Sequence, residues 1–244
     1  MEEKGLSKKE KRLLVKEQKK VNAMASERDK KIKKAIVGIL ILAGVIYLGY
    51  NSKKTGGQDS SSQSEVLQVN ERDWVRGERQ AKVTLIEYGD FQCPACADYA
   101  PIVKKLGEEF SQDLAIVYRH FPLVTIHDNA FAAALASEAA GKESKFWEMH
   151  DILYEKQEEW VKERDPKGKF AEYAESIGID KDKFLAGFES TDIKKKVEED
   201  NLSASRLRLN STPTYFLNGE KIQPRGYEEF KEKIESFLRG YNLQ

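Results

Sequence analysis

Residues 82–96 read Lys82-Val-Thr-Leu-Ile-Glu-Tyr-Gly-Asp-Phe-Gln-Cys-Pro-Ala-Cys96. The run from Lys82 to Tyr88 is rich in β-branched and apolar side chains and is bounded by Gly89, so it predicts a buried strand. Gly89-Asp90-Phe91-Gln92 predicts a loop. Cys93 then opens a helix, with Pro94 in its first turn, where a missing N–H costs nothing. The helix is expected to reach about Phe110. Leu114 to Phe121 predicts a second strand, ended by Pro122. Strand, helix and strand in this order imply a right-handed parallel crossover.

The chain has 244 residues and two cysteines, and both lie in this stretch. Two intervening residues put the sulfurs on one helical turn, within reach of reversible disulfide closure. A chain whose whole thiol inventory is one C-x-x-C points to redox chemistry. A structural disulfide here would remove little unfolded-state entropy, because its loop is so short. Tetrahedral zinc would need two more ligands. His120, His127 and His150 are the only histidines, and no pair has H-x-x-x-H spacing. No metal and no cofactor are therefore expected. A cysteine at a helix start meets the unpaired N–H groups of the first turn and the positive end of the helix dipole. Cys93 is the expected nucleophile and Cys96 the resolving thiol. Lowering a thiol pKa from ~8.5 by three units stabilises the thiolate by about 4 kcal/mol. That raises the disulfide's potential by roughly 90 mV and makes it a better oxidant.

Two more features attach to this motif. Glu87 ends the apolar strand six residues before Cys93. It either lies buried beneath the cysteines, relaying the proton of Cys96, or points to solvent at a sheet edge. Thr212-Pro213 precedes the β-rich run Pro213 to Leu217, and a proline there fits an edge strand or a cis bond. With a cis bond, the neighbouring backbone can pair with an extended substrate beside Cys93. His127 admits a catalytic role or simple packing at a helix start.

Outward from the motif, Asp128 to about Ser211 is almost entirely helical in pattern. Asp128 is the expected N-cap of an Ala-rich helix ending at Gly141. Further helices are expected over Lys145–Trp160, Phe170–Ile177 and Lys181–Phe188, and from a Thr191 cap to about Leu209. Asn218-Gly219 predicts a two-residue hairpin turn into Lys221-Ile222-Gln223. A last amphipathic helix is expected from Tyr227 to Leu238. The order is β-α-β, a helical block, then β-β-α, an α/β domain over 73–244 with an insertion at about 128–211.

The N-terminal part has another composition. Residues 1–34 hold thirteen Lys/Arg against six Asp/Glu, and the remaining 210 residues carry a net −7. That acidic bulk argues against nucleic acid as the partner. Residues 35–50 are uncharged and apolar on all faces. As a helix they span about 24 Å, short of a ~30 Å hydrocarbon core by a gap that Ile32 and flanking lysines can close. An uncleaved anchor in the lipid bilayer is favoured over a cleaved signal peptide or a buried core helix. The lysines before the span place the N-terminus in the cytosol and the rest outside. Residues 1–34 are then a basic, topogenic cytosolic tail, and 51–72 a flexible linker reaching on the order of 25 Å.

Glu87-Tyr-Gly-Asp-Phe-Gln-Cys93-Pro-Ala-Cys96, Tyr118-Arg-His-Phe-Pro-Leu123 and Ser211-Thr-Pro-Thr-Tyr-Phe-Leu-Asn-Gly219 together resemble the DsbA-like thioredoxin-fold oxidoreductases. The likeness is to the membrane-anchored, single-pass bacterial kind that includes BdbD-type proteins, and it covers about residues 73–240. The resemblance implies a thioredoxin-like fold with a helical insertion. It implies a surface nucleophile at Cys93, a buried partner at Cys96 and a buried acid at Glu87. It also implies a cis Thr212–Pro213 loop facing the disulfide, with Pro94, Ala95 and Thr212 against the substrate. The implied partners are reduced or misoxidised exported proteins, and a membrane quinone-linked thiol oxidase for reoxidation. Ala95 departs from the family, whose strong oxidants carry His in the dipeptide, and Thr212 also occurs in isomerase-like relatives. A reductase or isomerase, and a redox-inactive binding or chaperone module, are the alternatives to an oxidase.

Overall fold

The computed structural model describes residues 63–241, together with Lys19, Lys20, Met24, Gly38, Gly44 and Tyr47. The expected tail at 1–34, the span at 35–50 and the first part of the linker lie outside the described residues but for those six. Among the described residues no helix is long and apolar enough to cross a membrane. The chain divides between Ser61 and Ser62, and the fold that follows is that of the second unit.

The first half runs β1 (Trp74–Arg76), β2 (Val83–Gly89), α1 (Pro94–Glu109) and β3 (Leu114–His120). The insertion follows as α2 (Ala130–Lys142), α3 (Phe146–Glu155), α4 (Gln157–Trp160), α5 (Lys167–Ser176), α6 (Lys181–Phe188) and α7 (Thr191–Arg206). β4 (Thr214–Leu217), β5 (Glu220–Ile222) and α8 (Tyr227–Tyr241) close the fold. The five strands form one sheet in the order β1-β3-β2-β4-β5. β2 and β3 are parallel, as the crossover requires, and the other pairs are antiparallel. Asn218 and Gly219 take φ values of 47° and 85°, the left-handed pair that a two-residue hairpin needs.

Side chains alternate between the two faces of a strand. Val83 and Leu85 of β2 pack with Leu114, Ile116 and Leu217 against Val103 and Leu106 of α1 and Phe230 and Ile234 of α8. Ile86 and Tyr88 face the other way, with Val117 and Phe216, onto Ala204 and Leu207. By the same alternation Glu87 sits on the α1 face. The insertion helices bury a third cluster, which includes Phe91, both cysteines, Trp160 and Phe170.

One strand carries no sequence signal, and four local expectations are corrected. β1 carries no period of its own at three residues; its pairing with β3 makes it a strand. The expected linker does not stay free to residue 72. Val66, Leu67 and Val69 pack on the sheet, and Arg119 donates to Val66 O at 2.6 Å and Gln68 O at 2.7 Å. Asp128 is exposed and does not cap α2; Asn129 precedes that helix, and Ser190 rather than Thr191 precedes α7. The expected helix over Lys145–Trp160 is broken at Lys156 into α3 and α4. In an unbroken helix Leu153 O would accept from Gln157 N. Here the Trp160 indole N–H takes that carbonyl at 2.9 Å, so Leu153 O keeps a partner across the break.

Candidate active site

Cys93 is the N-cap residue of α1, with extended backbone (φ −71°, ψ 121°) and Pro94 directly after it. No acidic residue stands in the first turn to oppose a thiolate there. Both cysteines are free. Cys93 is 8% exposed and lies beneath a rim made by the exposed Pro94 and Ala95, whereas Cys96 is fully buried. One turn of helix therefore separates a thiol just beneath the surface, more covered than the surface nucleophile the resemblance implied, from a thiol in the core.

Their acidities split accordingly. The Cys93 thiol is lowered to about 5, chiefly because the Cys96 thiol hydrogen-bonds to its sulfur, with Thr212 and the Ala95 and Cys96 amides helping against burial. Cys96 is pushed well above the usual thiol range, first by burial and then by the Cys93 and Glu87 groups beside it. The Cys93 thiol donates to Thr212 O at 3.4 Å, across 119 residues of chain. The Thr212–Pro213 peptide is cis, as the resemblance implied.

Glu87 is buried rather than solvent-facing. Its Oε1 has no hydrogen-bond partner among the described residues, and burial raises its carboxyl to about 8. Tyr118 of β3 and Tyr215 of β4 are its register partners on either side. The Tyr118 hydroxyl pairs with that of Tyr154 from α3 at 2.9 Å. A buried acid flanked by phenols thus underlies the cysteines on the α1 face.

The loop before Cys93 is held by Asp90, Gln157 and His127, of which the sequence singled out His127 alone. The buried carboxylate of Asp90 accepts Gln92 N at 2.8 Å, Leu123 N at 2.9 Å and His127 Nδ1 at 2.7 Å. His127 is thereby tied to the loop, and its carbonyl accepts Ala130 N at the start of α2. Gln157 Nε2 reaches Phe91 O and Cys93 O. Asp90 sits inside the motif and was readable as a turn residue; Gln157 had no signal, since it fell in the interior of an expected helix.

The other histidines are engaged by carboxylates. His120 Nε2 meets Glu138 Oε1 and His150 Nδ1 meets Asp151 Oδ1, each at 2.9 Å. His120, Glu138 and Asp200 bring candidate ligand atoms within 4.8 Å of one another. Lys196 Nζ already lies 2.6 Å from both oxygens of Asp200 and supplies the cation there.

A family model described as Thioredoxin matches residues 69–236. The chain belongs to the thioredoxin family. Within that family it falls with BdbD-type proteins. It is 30% identical to BdbD from Bacillus subtilis, over 68% of this chain and 92% of that one, with a TM-score of 0.60. Wolbachia pipientis α-DsbA1 shares the fold at 19% identity, over 75% of this chain and 100% of that one, with a TM-score of 0.67. A curated relative from Salinispora arenicola, named as Na(+)/H(+) antiporter NhaA 1, is 40% identical over 151 residues, 62% of this chain. The chain spans only 22% of that relative's length, about a fifth, as with the other curated relatives it matches.

Proposed function

We propose that this chain is a membrane-tethered thiol–disulfide oxidoreductase that oxidises thiols of exported proteins through a Cys93–Cys96 disulfide. The observation that carries the proposal is the placement of the cysteine pair, with Cys93 at the N-cap of α1 against the carbonyl of the cis Thr212–Pro213 peptide and Cys96 one turn on in the core; the opposed acidities of the two thiols agree with it.

In the forward reaction a substrate thiolate attacks Cys93 Sγ. A substrate–Cys93 bond forms, the Cys93–Cys96 bond breaks, and Cys96 leaves with the electron pair. Buried Cys96 needs a proton, and the Glu87 carboxyl, raised to about 8, holds one at neutral pH. A second substrate thiolate then attacks the substrate sulfur. Cys93 leaves as a thiolate, and its low pKa makes it a good leaving group. Two electrons pass from substrate to enzyme, and the substrate gains a disulfide. The Thr212–Pro213 backbone, in contact with the Cys93 sulfur, lines up an extended substrate, with Pro94 and Ala95 as the opposite rim. Reoxidation calls for a membrane quinone-linked thiol oxidase. Residues 35–50 support a single-pass anchor in a bacterial cell membrane, N-terminus in the cytosol and catalytic domain outside.

Thr212 and the absence of His at position 95 favour a second reading, a reductase or isomerase working through the same sulfurs. The oxidised full chain in detergent, mixed with a reduced unfolded protein, tests the first: disulfide transfer is expected, and its absence overturns the oxidase. Cys96→Ser should trap a mixed disulfide, and Cys93→Ser should trap none. A potential near thioredoxin's roughly −270 mV would favour the reductase.

A further inference from the structure

One amide side chain of the insertion grips the redox loop. Gln157 Nε2 donates to Phe91 O at 2.7 Å and to Cys93 O at 3.1 Å. The same Cys93 carbonyl accepts the first bond of α1, from Ala97 N at 3.2 Å. Between those two carbonyls, Gln92 is also held. Its Oε1 accepts Asn129 N at 2.7 Å and its Nε2 donates to Val161 O at 3.3 Å. Gln157 reaches this position because the helix breaks at Lys156, and the break is closed by the Trp160 indole.

Hydrogen bonds weaken steeply with angle and distance. The Ala95 and Cys96 amides stabilise a thiolate at Cys93 only while its peptide is held at the right attitude to α1. The Cys93 carbonyl belongs to that peptide, and Gln157 is its side-chain donor. We propose that Gln157 is a positioning residue for Cys93, setting the attitude of the sulfur to the N-terminus of α1 and so the strength with which the helix end holds the thiolate. This rests on the oxidoreductase reading for its functional meaning, but its test needs no substrate.

Gln157→Met keeps the length of the side chain and removes both donors; Gln157→Glu keeps the shape and turns a donor into an acceptor facing two carbonyls. Each is made in the full chain, and Cys93 is titrated by thiolate absorbance in the reduced protein, alongside unfolding of both redox forms. The Cys93 pKa should rise by about one unit in Gln157→Met, the scale of one hydrogen bond, and further in Gln157→Glu. A tenfold change lowers the potential by roughly 30 mV against glutathione. An unchanged titration, with both redox forms destabilised alike, overturns the proposal and leaves Gln157 as glue between insertion and loop. Failure of both variants to fold overturns it equally. Loss of disulfide transfer in the wild type would sink the oxidase while leaving the Cys93 titration in force; intact transfer with an unchanged titration sinks the positioning role alone.

Discussion

Glu87 shows how one side chain acquires a function from its surroundings. On the sequence it is a carboxylate at the end of a strand. In the fold it is enclosed by the α1 face of the sheet with one oxygen unpaired, and burial raises it to about 8. A carboxyl whose folded pKa is raised contributes its stability below its unfolded value, near 4.5, and loses it as pH climbs toward 8. Glu87→Gln should therefore match the wild type in stability near pH 4. It should exceed it by a margin that grows to about pH 8 and then levels, as read from denaturant midpoints across that range. A constant margin would mean that Glu87 ionises normally. The same substitution removes the proton donor for Cys96, so disulfide transfer at neutral pH should slow while the protein grows more stable.

Among elements, β2, its loop and α1 form the unit on which the chemistry depends, and Gly89 is its tightest point. A Cβ there would stand 2.4 Å from the Tyr118 ring and 2.6 Å from its hydroxyl. That ring stacks on Phe91, centroids 5.1 Å apart, and pairs with Tyr154. The ring is packed on several sides, so room for a methyl must come from backbone movement. Gly89→Ala should cost about 1–3 kcal/mol, the usual scale of overpacking, measured by chemical unfolding. A near-neutral result would show that β2 shifts freely at this residue. The break between α3 and α4 is the other decisive element feature. Helical periodicity runs straight through Lys156, and only the partners of Leu153 O and Gln157 reveal the interruption.

At the scale of the whole molecule, Arg119 ties the N-terminal segment to the sheet. It donates to both oxygens of Asp73, at 3.0 and 2.8 Å, and to the Val66 and Gln68 carbonyls, and all of this is buried or nearly so. Arg119→Ala leaves Asp73 buried without its counter-charge and should cost about 3–5 kcal/mol by denaturant titration. It should also release residues 66–73 to proteolysis, whereas a surface pair would cost under about 1 kcal/mol. Most of the fold was legible without coordinates, for reasons that are local. Pro94 after Cys93 marks a helix start within two residues, Asn218-Gly219 marks a turn by its backbone freedom, and the β-branched, apolar run ending at Gly89 marks β2 as a buried strand. The cysteine pair points to redox chemistry through its spacing together with the lack of any other cysteine or a paired histidine motif. Contacts between distant residues left no such trace. Gln157 meets Cys93 across 64 residues and Arg119 meets Asp73 across 46; the meeting of Cys93 with Thr212 was implied by the family resemblance and not by any local signal. Sequence by itself determined most of the elements and which sulfurs react, because turns, caps and periodicity act over a few residues. Tertiary structure alone decided how far Cys96 is buried, whether Glu87 keeps its proton and what holds Cys93 in place, because those depend on burial and on partners that only the folded chain brings together.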